Sequence, residues 1–197
     1  MGIDSGLINN EMTFDVSQPI KNTIEDWDPC DCSLSVKDIL VKSSNIGVAK
    51  IAKIVGKKNQ INFFKKIGFF EPININLDEA TTPMGQKYHW GEMETMTIGY
   101  GHGFAITPLH LALAYSSILN KGKKANPQII LQNKPIEYQQ IIKEETSIYI
   151  SNLLRAVVNE TVVTGPKVKI DGYDIGGKTG TAELINKKGQ YEKDLNR

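Results

Sequence analysis

A helical apolar pattern begins at Val36, breaks at Ser43-Ser44-Asn45 and restarts at once at Ile46. Ser35 stands before the first segment as an N-cap, with Asp38 as its acidic partner. Val36, Ile39 and Leu40 make the first apolar stripe. Ile46, Ala49, Ala52 and Val55 make the second, which ends at Gly56. Asn45 is expected to cap the second helix. Such a break is a tight turn between two helices. It can project the Ser43 hydroxyl and the Asn45 amide into a cleft, the one to relay a proton and the other to orient a carbonyl. Taken alone, the tripeptide reads first as a polar turn between helices with Asn45 as a cap.

The rest of the chain supplies more helices, then strands. A third helix is expected from Lys58 to Ile67, closed by Gly68. Gly99-Tyr100-Gly101-His102-Gly103 is a glycine-rich loop. Thr107-Pro108 then opens a helix as cap and first residue. That helix is apolar nearly all round, which predicts burial. An amphipathic helix follows over Glu144–Asn159. Ile129–Leu131, Val168–Ile170 and Tyr173–Leu184 read as strands. Helices in the middle and strands late predict an α+β fold, with helices packed on an antiparallel sheet.

Composition narrows the function classes. Lys plus Arg number 23 and Asp plus Glu 22, for a net charge of +1. The lysine clusters are short and scattered, so no nucleic-acid partner is expected. Cys30 and Cys32 lack a second metal-ligand pair and read as incidental. His89, His102 and His110 show no metal-ligand spacing; His110 reads as a packed core residue. No metal or cofactor is expected. Met1–Asp4 does not open a signal peptide, and no run reaches the ~18 apolar residues of a membrane span.

Gly176-Gly177-Lys178-Thr179-Gly180-Thr181 carries most of the chemistry and has two readings. Gly172 to Thr179 satisfies the phosphate-loop pattern, in which backbone amides cradle a nucleotide's phosphates and Thr179 holds magnesium. That loop must lead into a long helix, and Gly180 directly after Thr179 opens one poorly. The favoured reading is Lys-Thr-Gly on a strand. Lys178 and Gly180 then share one face and Thr179 takes the other. Gly180 lets a peptide lie close, Lys178 gives the cleft positive charge, and the Thr181 hydroxyl can bind a carboxylate. The Thr181 N–H can face a developing oxyanion.

Ser-x-Asn followed by Lys-Thr-Gly is two-thirds of the signature of serine penicillin-recognising enzymes. Val41–Lys50, Thr97–Leu109 and Ile175–Glu183 resemble three segments of class B penicillin-binding proteins, most of all the septal, cell-division transpeptidases. The resemblance implies a penicillin-binding transpeptidase fold. It also implies an acyl-enzyme mechanism on D-Ala-D-Ala stem peptides of peptidoglycan, trapped by β-lactams. In it Ser43 assists proton transfer, Asn45 positions substrate and Lys178 sustains the electrostatics. Thr179, Gly180 and Thr181 line the carboxylate site. Septal cell-wall synthesis proteins would be partners, and the domain would lie in the periplasm on an inner-membrane anchor.

No serine in the chain has a lysine three residues later, so the Ser-x-x-Lys nucleophile is not found in it. The chain is therefore expected to be a partial transpeptidase domain over residues 1–197, truncated at both ends and inactive alone. Loss of the nucleophile from a triad-type site costs on the order of 10⁶ in rate. A non-catalytic sensor or scaffold module is the alternative, and a nucleotide-binding protein a remote one. Expressed alone, the chain is expected to be marginal or insoluble. A soluble monomer that unfolds cooperatively by circular dichroism would contradict this.

Overall fold

The structure, a computed structural model, describes residues 1–75, 80, 83, 90–130, 135–161, 168 and 170–180. Strands β1 (Thr13–Asp15) and β2 (Ser33–Ser35) pair antiparallel, with Phe14 opposite Leu34. Both side chains of that pair are buried in the main core. Helix α1 (Val36–Lys42) follows without a gap, because Ser35 ends β2 and caps α1. Its hydroxyl accepts from Asp38 N at 3.1 Å and donates to the Asp38 carboxylate at 2.6 Å. Val36 and Ile39 turn inward and join Ile8, Val16, Ile24, Ile46, Ala49 and Met96 in one apolar cluster.

Helix α2 (Asn45–Ile67) contains the two expected helical segments, joined at Gly56. Gly56 is not helical (φ 76°, ψ 157°), a conformation open to glycine at little steric cost. Gly68 closes the second segment at φ 91°. The cap of α2 differs from expectation. Ser44, not Asn45, accepts the capping hydrogen bond, from Gly47 N at 2.9 Å.

Helix α3 (Glu92–Gly99) is not evident in the apolar pattern. Its start is fixed by Glu94, whose carboxylate accepts from Gly91 N at 2.8 Å. It packs on α2 at very short range. A Cβ on Gly99 would sit 2.7 Å from Ala52 Cβ and 3.3 Å from Val48 Cγ1. Gln60 ties the pair by donating to Thr95 O at 2.8 Å. The loop beyond α3 is seated by Phe104, whose ring lies 5.1 Å from Phe64 and 6.3 Å from Trp90, centroid to centroid.

Helix α4 (Pro108–Leu119) opens as expected, with Thr107 accepting from His110 N at 3.3 Å. His110 is buried, bonded to Glu71 O at 2.9 Å. The rest of α4 is less buried than its composition implies. Leu111 is 48% exposed and Leu119 68%, because only one face meets its neighbours among the described residues. Strand β3 (Lys123–Ala125) pairs antiparallel with β4 (Tyr138–Gln140). Helix α5 (Glu144–Glu160) closes the described fold, packing on α1 and α4. Its Ser147 hydroxyl donates to Ile118 O in α4.

The α+β fold with helices and antiparallel strands is as expected, and the described residues divide the strands between two two-stranded antiparallel sheets. Two expectations need correction, for the late strands and for the cysteines. Ile129-Ile130, Ile170 and residues 173–180 are not strands, because no described strand pairs with them; Leu131, Lys169 and 181–184 lie outside the described residues. Cys30 and Cys32 form a disulfide, with Cα atoms 5.3 Å apart, inside the range a bridge needs. A Gly99→Ala substitution is expected to push α3 off α2 and destabilise the fold by about 1–3 kcal/mol, read as a lower urea midpoint.

Candidate active site

The Ser43-Ser44-Asn45 turn is held at every residue. Ser43 ends α1 in the left-handed region (φ 59°, ψ 40°). Such a conformation costs a non-glycine residue of order 1–3 kcal/mol and persists only when its surroundings enforce it. Ser43 N donates to Leu40 O at 3.3 Å, and Ser44 N to Ile39 O at 3.0 Å. The buried Ser44 hydroxyl donates to Asp26 Oδ2 at 2.6 Å. The other oxygen of Asp26 accepts from Ile46 N at 2.9 Å. Asn45 Nδ2 donates to Glu25 O at 3.1 Å. Ser43 thus stands exposed at the apex while its neighbours are fastened below it.

The Lys178 segment arrives from the far end of the chain and lies on α5. Gly177 N donates to Leu154 O at 3.1 Å, and Arg155 pairs with Asp174 at 2.7 Å. The close approach needs glycine. A Cβ on Gly176 would meet Leu154 Cβ at 3.1 Å and Arg155 N at 3.3 Å. Helix α1 packs on the same α5, braced by the Lys37–Glu160 pair at 2.7 Å. One helix therefore carries both motif segments.

They meet at the side chains. Lys178 Nζ donates to Ser43 Oγ. It also lies 3.1 Å from Thr179 Oγ1 and 3.5 Å from Thr179 O. The strand-like alternation expected for Lys178 and Thr179 is absent, because the segment is irregular and the ammonium curls back onto Thr179. Gly180 faces open space, with nothing within 4 Å of a Cβ placed there. Thr181 lies outside the described residues. Burial holds the Lys178 ammonium below the ordinary lysine range. A half-buried amine that gives up its proton more readily, touching a serine hydroxyl, is equipped for proton transfer.

Residues 1–196 match the penicillin-binding protein transpeptidase domain family. The chain belongs to that family. It is 32% identical over 190 residues to a probable peptidoglycan D,D-transpeptidase FtsI of Caulobacter vibrioides, covering 93% of this chain and 32% of that protein. It is 31% identical over 167 residues to the stage V sporulation protein D of Bacillus subtilis, covering 78% of this chain and 25% of that one. The chain thus spans about a third or less of the curated relatives it matches. The fold matches the transpeptidase domain of Burkholderia pseudomallei penicillin-binding protein 3. The TM-score is 0.86 at 24% identity, over 97% of this chain and 59% of that one. It also matches penicillin-binding protein 3 of Mycobacterium tuberculosis complexed with ampicillin. There the TM-score is 0.87 at 24% identity, over 98% of this chain and 47% of that one.

Family membership takes in Gly172–Thr179 and leaves the phosphate-loop reading without support. Such a loop also follows a buried strand, whereas Ile170 and Tyr173 flank an exposed turn. Sequence reasoning missed Glu25 and Asp26, which clamp the turn; no motif marks them. The lowered Lys178 pKa has a checkable sign. Between that pKa and the ordinary 10.5 the unfolded chain binds more protons, so stability rises with pH across the window and is penalised below it. Lys178→Met is expected to remove that rise and to stabilise the chain at neutral pH, as read from urea midpoints at neutral pH and near 10.5.

Proposed function

We propose that this chain is part of the acyl-transfer centre of a peptidoglycan D,D-transpeptidase, the part that handles protons and binds substrate. The observation that carries the reading is the Lys178–Ser43 hydrogen bond, which joins two motifs 135 residues apart. A serine of a Ser-x-x-Lys motif, which this sequence does not contain, attacks the penultimate D-Ala carbonyl of a stem peptide and gives its proton to that motif's lysine. The C–N bond to the last D-Ala breaks, and the departing amine takes a proton from the Ser43 hydroxyl. Lys178 resupplies that proton through the hydrogen bond the two share. A neighbouring stem's amine then attacks the acyl carbonyl and passes a proton through Ser43 to Lys178, while the Ser-x-x-Lys lysine returns its proton to the departing serine. Asn45, with its side chain anchored on Glu25 O, offers its amide oxygen to the substrate backbone. Thr179, Gly180 and Thr181 receive the substrate carboxylate, Gly180 by leaving its face open.

β-Lactams are the expected inhibitors, since ampicillin and aztreonam are found on the mycobacterial proteins of the same fold. A septal role with cell-division partners follows the naming of relatives as FtsI. Placement in the periplasm, on a membrane anchor, belongs to the same proposal. A Cys30–Cys32 bridge suits such an oxidising compartment. No helix among the described residues is long and apolar enough to cross a membrane.

The test is labelling with a fluorescent penicillin in the polypeptide that carries the Ser-x-x-Lys serine. Ser43→Ala and Lys178→Ala are each expected to slow acylation by roughly 100- to 10,000-fold, the range of general acid–base catalysis. The 197-residue chain itself is expected to form no adduct. Acylation at the unmodified rate in Lys178→Ala would sink the reading.

A further inference from the structure

The Ser43 apex has a strained backbone, and something must enforce it. Its own hydrogen bonds to α1 reach only the preceding turn. The following side is governed by a residue from a different segment. Asp26 uses both carboxylate oxygens, one on the Ser44 hydroxyl at 2.6 Å and one on Ile46 N at 2.9 Å. Ser44 can then turn its lone pair to Gly47 N, at 2.9 Å. One carboxylate thus satisfies a first-turn amide of α2 directly and another through Ser44. Its charge also lies where the helix dipole favours an anion. Ser44 and Ile46 are both 2% exposed, so water is a poor substitute for that carboxylate.

The clamp is itself anchored. Ile24 is 1% exposed in the main core and is bridged to Ile20 by two backbone hydrogen bonds, of 2.9 and 3.1 Å. Glu25 O receives Asn45 Nδ2. The segment Ile24-Glu25-Asp26 therefore fixes the residues on the α2 side of Ser43, and Lys178 meets Ser43 from the α5 side.

We propose that Asp26 is a positioning residue of this site: it locks the Ser44–Ile46 turn so that the Ser43 hydroxyl is presented to Lys178. The proposal rests on the transpeptidase reading above and extends it to a residue outside the motifs. Asp26→Asn keeps size and shape but replaces one acceptor oxygen with a donor. Either the Ser44 hydroxyl or Ile46 N–H then faces an NH₂ group. The loss is that of a helix cap, so a stability control is needed. Thr107→Ala removes the cap of α4, which carries none of the site residues.

Two measurements make the test, both in the polypeptide that carries the Ser-x-x-Lys serine: the Lys178 side-chain NMR signal with its titration, and penicillin acylation. Asp26→Asn is expected to shift the Lys178 signal and to slow acylation by up to roughly 100-fold, as misplacing a reacting group does. Thr107→Ala, at a similar loss of thermal stability, is expected to change neither. The inference is overturned if Asp26→Asn leaves both readouts as in the unmodified protein, or if Thr107→Ala moves them equally. Ser43→Ala separates the two levels of argument. If it changes both readouts while Asp26→Asn changes neither, only the role of Asp26 fails. If Ser43→Ala changes neither, the reading of the site fails with it.

Discussion

Helix α5 is the reference frame on which the site depends. Helix α1, which ends at Ser43, packs on it, and the Gly176-Gly177 segment lies against its backbone. Neither motif touches the other except through side chains at the tip. The distance between Lys178 and Ser43 is therefore set by two packing contacts on a common support. Both are of a stiff kind. The α1 contact is braced by an ion pair, and the glycine contact is a backbone hydrogen bond reinforced by Arg155 and Asp174. Exposed ion pairs add little energy singly, so the apolar face of α5 supplies the holding force. Its buried Leu153, Leu154, Val157 and Val158 are the side chains in question.

The helical half of this architecture was legible because its signals are local. The caps at Ser35 and Thr107, the stop at Gly68, the break at Ser43–Asn45 and the packed His110 all follow from residues within a turn or so of one another. The places of the individual strands were not legible for the opposite reason. A strand exists only when a partner offers a ladder, and β-branched pairs such as Ile129-Ile130 cannot show whether one does. Helix α3 escaped notice because its apolar residues are few and its stability comes from close packing on Ala52, which no periodicity reports.

At the site the division is sharper. Motif spacing brought Ser43, Asn45, Lys178, Thr179 and Gly180 to attention, and the fold joins Ser43 to Lys178. Nothing in the sequence linked Asp26 to Ser44, since a carboxylate that caps a helix from another segment has no spacing to read. The choice of Asn45 as the cap went astray for a related reason. Ser and Asn are equally good caps. Which of two adjacent residues takes the position is decided by where the next anchor lies: Asp26 for Ser44, Glu25 for Asn45.

The left-handed backbone at Ser43 has a consequence for how this position can change over time. Stability alone would favour glycine or asparagine there, since both enter that region more easily than serine. Each such replacement is available by small genetic steps, and each would relax the turn while deleting the hydroxyl that Lys178 touches. Folding and chemistry therefore exert opposite selection on one residue. Drift toward glycine or asparagine at position 43 would mark a lineage released from the reaction, well before its fold decayed.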